Sequence, residues 1–295
     1  MSQPLRTTLA KRKAEAFLRD NGIEALPVNP FAIAASHDIV VEAKPDAAEG
    51  VSGMLLRHGD VFGILYAAHI PSEGFQRFSV AHELGHYFLD GHIDHILPGD
   101  GIHTSQAGFV SADSYELEAD NFAAGLLMPD RPFRRALEKC EPGLSAVESM
   151  ARLCRTSLTA TAIRYAELTE HAVAVAISTG PTIDYCRLSE TMKSLRELTW
   201  LRKGSPVPVN SVTARLNRNP DRVARADLAG AEIDIMDWLG GIRSVKAVEE
   251  VVGLGSYGKT LTVLTCASIQ DQIDEEEDGD DEDSLIERWT PRFRR

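Results

Sequence analysis

The sequence predicts an α+β protein in which a small β-sheet packs on a metal-binding helix, followed by a helix-turn-helix-like helical segment and a mixed α/β C-terminal region. Three observations predict it: H-E-x-x-H spacing inside the apolar stretch FSVAHELGHYFL at 78–89, β-branched runs around a Gly59-Asp60 turn just upstream, and helical periodicity over 115–168 before strand-like alternation begins at 171. On a helix of about 3.6 residues per turn, positions four apart share a face, so the imidazoles of His82 and His86 converge on one point. Two imidazoles so placed suit a divalent cation, and Glu83 falls beside that cation rather than on it. That is where a general base toward water belongs, which suits hydrolysis. Phe78, Val80, Leu84 and Phe88 wrap the polar triplet in apolar surface, where unpaired charge is costly without a metal.

In chain order, residues 7–20 place Leu9, Ala10, Ala14, Phe17 and Leu18 at helical spacing, and Asn21-Gly22 ends that helix. A short helix at 30–36 follows, with Asn29 as its cap, and then a β-branched strand at 39–43. Strands at 52–58 and 61–68 form a hairpin through Gly59-Asp60, and Pro71-Ser72 leads into the metal helix. After Leu89 the pattern dissolves into a polar stretch containing His92, His95 and His103. It is expected to be a long loop lining a cleft, its histidines mostly at the surface.

Residues 115–130, YELEADNFAAGLLMPD, form the next helix and stop at Pro129. Glu116 and Asp120 share its face, whereas Glu118 is turned away from Glu116 by roughly 200°. Two helices can then build one site: His82, His86 and Glu116 hold the metal, and Asp120 hydrogen-bonds a ligand histidine. A solvated acidic face is the plainer alternative, since i, i+4 acids are common on helices. A rival third ligand is His92, at the last histidine of H-E-x-x-H-x-x-G-x-x-H. The glycine of that pattern is here Leu89, a side chain ill suited to positive φ, which argues against it. Two imidazoles and one carboxylate with an open position favour zinc, with manganese as the alternative. An oxyanion donor is expected, with Tyr115 and His103 as candidates on proximity in sequence alone.

FSVAHELGHYFL, then HTSQAGFVSADS, then YELEADNFAAGLLMP, together resemble the ImmA/IrrE family of metallopeptidases, most specifically over 70–135. The resemblance implies a gluzincin-like, zincin-type site with Glu116, the first residue of the E-x-x-A-D/N pattern, as third ligand. It also implies a cytoplasmic endopeptidase that cleaves, and so relieves, a helix-turn-helix transcriptional repressor in a phage, mobile-element or stress-response circuit.

Residues 146–168 read as helix, short turn at 155–157 and helix, and the family carries similar helices behind its peptidase domain. DNA binding through this segment is the lesser reading, because its second helix offers only Arg164 as an obvious base-reading group. The alternative function is therefore a metal-binding regulator that does not cleave. Strands are expected at 171–178 and 184–191, then a broken Pro- and Asn-rich connector at 206–220. GLGSYGKT at 253–260 fits the phosphate-loop pattern, but TLTVLT alternates like a strand where that loop must open a helix, so no nucleotide is expected.

The net charge of -13 belongs to the tail: ten acids lie between Asp271 and Asp283, and without them 34 acids face 31 bases. Such a run repels itself and is expected to be disordered. No apolar run reaches the ~18 to 20 residues of a membrane span, and the charged N-terminus lacks a signal-peptide core. The four scattered cysteines fit reduced thiols. The expected domains are the peptidase at 1–135, the helical segment at 136–169, a mixed α/β and possibly sensor-like region at 170–270, and the acidic tail at 271–295.

Overall fold

A computed structural model describes residues 3–44, 51–99, 101–106, 113–195, 198–241 and 244–266. The chain forms two compact units, one of residues 1–141 and 145–168, the other of residues 142–144 and 169 onward. The class is α+β, as the sequence predicts. The acidic tail lies outside the described residues.

The first unit opens with α1 (Gln3–Asp20) and α2 (Pro30–Ser36), the latter capped by Asn29, which accepts from the backbone amides of Phe31 and Ala32. Strands β1 (Val40–Lys44), β2 (Val51–His58) and β3 (Val61–Ala67) follow, with Gly59 at φ +61° turning the hairpin between β2 and β3. Helix α3 (Glu73–Phe88) carries the H-E-x-x-H residues, and its N-cap Ser72 accepts from the amide of Phe75.

After α3 the chain departs from the expected loop. Gly91 at φ +79° starts a short helix α4 (His92–Ile96), and β4 (Gly101–Gln106) then returns to the sheet. The order is β1-β3-β2-β4, with β1 parallel to β3 and the other pairs antiparallel. The reason for the difference is tertiary: β4 is polar and short, and only its ladder with β2 makes it a strand. Leu89, at φ −81°, stays extended, and the left-handed turn falls to Gly91 two residues later.

Helix α5 (Ser114–Leu127) is capped by Asp113 and packs between α1 and α3. Leu84 of α3, Phe122 and Leu126 of α5, and Ala14 and Leu18 of α1 share one buried core. Two glycines bring the helices this close. A Cβ on Gly85 would stand 3.0 Å from Ala119 Cα, and one on Gly125 would stand 2.9 Å from the Lys11 carbonyl.

Helices α6 (Asp130–Leu137), α7 (Leu144–Cys154) and α8 (Leu158–Leu168) follow, with Arg155 at φ +56° in the turn between the last two. Arg164 is not a surface group. It is 4% exposed, donates to the Met128 carbonyl at 2.9 Å, and pairs with Glu15, Asp130 and Glu167. The basic residue weighed for base reading is thus a structural strut between elements of its own unit.

The second unit is a five-stranded antiparallel sheet of β5 (Val173–Thr179), β6 (Thr182–Leu188), β7 (Leu228–Asp234), β8 (Lys246–Gly253) and β9 (Thr260–Cys266), ordered β6-β5-β9-β8-β7. Between β6 and β7 lie α9 (Glu190–Ser194), α10 (Val212–Asn217) and α11 (Pro220–Ala224), and α12 (Met236–Leu239) follows β7. The connector at 206–220 therefore contains a helical turn that its prolines and asparagines concealed. Its start is fixed by Ser211 as cap and by the buried Glu249 carboxylate, which accepts from the amides of Val212 and Thr213. The GLGSYGKT segment is strand, 3-10 turn (Gly255–Tyr257) and strand, and Lys259 pairs with Asp184 at 2.7 Å.

All four cysteines are free, and burial pushes the thiols of Cys154 and Cys186 up to about 12, which leaves them unreactive near neutrality. Among the described residues no helix is long and apolar enough to cross a membrane.

Candidate metal centre

The close contact of Gly85 with Ala119 sets the face of α5 bearing Glu116 and Asp120 against the face of α3 bearing His82 and His86. The consequence is a triangle of donors. His82 Nε2 and His86 Nε2 are 3.1 Å apart, Glu116 Oε2 is 3.3 Å from His82 Nε2, and Glu116 Oε1 is 3.2 Å from His86 Nε2. Donors bound tetrahedrally at ~2.0 to 2.1 Å from a cation stand roughly 3.3 Å from one another, so the triangle fits a small divalent ion. These three residues form the one cluster among the described residues with metal-ligand spacing.

Charge agrees with that reading. Burial opposes a charged His82, yet its hydrogen bonds to Asp120 and Glu116 and the charge of Glu83 outweigh burial and push the imidazole up to about 10. Burial holds the His86 imidazole down at about 4. Burial would raise the Glu116 carboxyl, but hydrogen bonds from His103, His82 and His86 keep it well below the usual carboxylate range. The site concentrates negative charge where a cation would neutralise it.

Asp120 Oδ1 lies 2.8 Å from His82 Nδ1, which sets the proton on Nδ1 and leaves Nε2 free for a metal. Glu118, on another face of α5, pairs with Arg6 at 2.6 Å. His103 on β4 reaches Glu116 Oε1 with its Nε2 at 3.0 Å, so it belongs to the donor cluster's edge. Tyr115 is turned to other partners: its ring stacks on His95 at 3.9 Å and lies under the Arg6 guanidinium.

His92, set aside in the sequence as a rival ligand and otherwise expected at the surface, is not in the donor triangle but is packed behind it. The side chain is wholly buried, with Nδ1 3.0 Å from His86 Nδ1, on the side of that ring away from the donor triangle. The signal for this is Gly91, which allows the chain to turn back onto α3.

Glu83 is fully buried, and neither carboxylate oxygen makes a well-formed hydrogen bond with the described residues. Burial raises its carboxyl, against the opposing charge of His82 and the nearby Ser105 hydroxyl. A buried carboxyl left unsatisfied by the protein is a candidate for a chemical role. It lies over Gly53, which pairs with Ser105 across β2 and β4, and a Cβ on Gly53 would stand 2.5 Å from Glu83 Oε1. Gly53→Ala is therefore expected to displace Glu83 and lower peptide cleavage by about 10²-fold, what a ~1 Å misplacement can cost, without loss of bound metal. Parallel turnover and metal-content measurements check this; unchanged turnover would mean the Glu83 side chain has room elsewhere.

Two helices giving H-E-x-x-H and a glutamate third donor beside a small sheet define a metallopeptidase-type unit. Residues 34–164 match Peptidase_M78, the IrrE N-terminal-like domain, which supports the resemblance of this part of the chain to the ImmA/IrrE family. No curated protein matches the sequence. The fold is also that of a Mycobacterium tuberculosis transcriptional regulator of known structure, with 17% identity, a TM-score of 0.54 and 87% of each chain covered.

Proposed function

We propose that the chain is a cytoplasmic zinc-dependent endopeptidase that cleaves a helix-turn-helix transcriptional repressor and so relieves repression. The observation that carries the reading is the buried, unsatisfied Glu83 beside a three-donor triangle. His82, His86 and Glu116 would hold the cation, which would supply Lewis acidity toward a scissile carbonyl and toward water. Zinc suits the two imidazoles and one carboxylate, with manganese as the alternative.

Glu83 takes the proton of the attacking water and passes it to the nitrogen of the leaving amine, which balances the hydrolysis. Its raised affinity for protons fits both halves of that shuttle. Asp120 keeps His82 in the ligating tautomer. Of the two oxyanion candidates, His103 stands at the donor cluster and Tyr115 is engaged with His95, which supports His103 over Tyr115 for that role. The repressor as substrate rests on the family.

The test is incubation of the metal-loaded chain with helix-turn-helix repressors encoded by neighbouring genes, read by intact mass and new N-termini. Cleavage at a defined bond, absent after chelation, is the expected result. Intact repressors together with retention of an operator fragment would instead support a regulator that does not cleave. Burial of Arg164 weighs against that second reading.

A further inference from the structure

His92 has no part in the chemistry above, yet it is built into the site. It opens α4, and Tyr115 meets its ring edge-on at 4.9 Å and 73°. Its Nδ1 faces His86 Nδ1 at 3.0 Å, so one of these two nitrogens must carry the shared proton. The other nitrogen of His86 decides which. Nε2 lies in the donor triangle, where it needs its lone pair for a cation, so His86 carries its proton on Nδ1 and donates. His92 then accepts at Nδ1 and holds its own proton on Nε2. That atom faces Glu118 Oε2 at 3.5 Å, an electrostatic contact rather than a short hydrogen bond, and Glu118 Oε1 pairs with Arg6 Nε at 2.6 Å.

We propose that His92 is a positioning residue of the metal centre, holding His86 in the ligating tautomer through an imidazole–imidazole hydrogen bond backed by Glu118 and Arg6. The proposal rests on reading His82, His86 and Glu116 as a metal site. It explains why the two ligand histidines have different supports. Asp120 backs His82 directly with a carboxylate, whereas His86 has a neutral ring between it and Glu118. A second carboxylate in direct contact would add buried negative charge beside Glu83 and Glu116; the inserted ring supplies an acceptor without it.

The test titrates Zn2+ into the metal-free full chain against a chromophoric chelator, for the wild type, His92→Leu and His92→Asn, with thermal melts as the folding control. His92→Leu is expected to weaken binding about 10- to 100-fold, and His92→Asn, whose side-chain carbonyl accepts from Nδ1–H, to regain most of it. The Co2+ absorption bands should shift in the leucine variant and return in the asparagine variant. Affinity of a folded His92→Leu within about twofold of wild type would overturn the proposal, since outer-shell loss is expected to cost more. If the leucine variant does not fold, 15N NMR of the wild-type imidazoles decides: protons on His86 Nδ1 and His92 Nε2 support the proposal, and a proton on His92 Nδ1 overturns it. A wild type that takes up no metal is a different outcome, one that removes the metal-site reading itself.

Discussion

Glu83→Gln is expected to lower peptide-bond cleavage by about 10²- to 10⁴-fold while the metal stays bound. Glutamine has nearly the shape of glutamate, so it fits the space over Gly53 that holds the native side chain. What it lacks is a site for the water proton. The same change removes a carboxyl that is fully buried and makes no well-formed hydrogen bond, so thermal stability should hold or rise. Cleavage of the cognate repressor and metal content are measured on the same preparation. Cleavage within about threefold of wild type would contradict the role of Glu83, because general base catalysis contributes far more than that.

Glu116→Ala is expected to act differently, removing the metal and the activity together. Zinc in a closed four-ligand protein site is held by roughly 10 to 16 kcal/mol, and an equal share for one ligand is about 2.5 to 4 kcal/mol, or roughly 70- to 900-fold in affinity. The loss also leaves His103 without the carboxylate it faces at 3.0 Å. Asp120→Ala, which removes only the support of His82, is expected to cost less, about 10- to 100-fold. Equilibrium dialysis with a competing chelator ranks the variants. Equal affinity in Glu116→Ala and wild type would remove α5 from the metal site.

Much of this architecture is legible in the sequence through local rules. The i, i+4 spacing of His82 with His86, and of Glu116 with Asp120, defines two faces, and caps at Ser72 and Asn29 mark helix starts. Gly59 turns the hairpin for the reason glycine usually does. What stays hidden depends on contacts between distant segments. Nothing local says that β4, with its polar sequence, joins β2, or that Gly53 would then leave room for Glu83. Nothing local buries Arg164, whose partners Glu15 and Asp130 lie far along the chain, and Gly91 marks only the turn that brings His92 back onto α3. Gly85 is the instructive case, since it sits inside the motif and its role appears only when Ala119 is set against it.

The most direct measurement is X-ray absorption at the zinc edge on the metal-loaded protein, with Glu116→Ala beside it. The predicted result is one zinc per chain with a scattering shell of two imidazoles and oxygen donors at ~2.0 to 2.2 Å, lost or rebuilt in the variant. A protein that retains no zinc after dialysis, or whose zinc shell holds fewer than two imidazoles and is unchanged by Glu116→Ala, would contradict a centre assembled from α3 and α5.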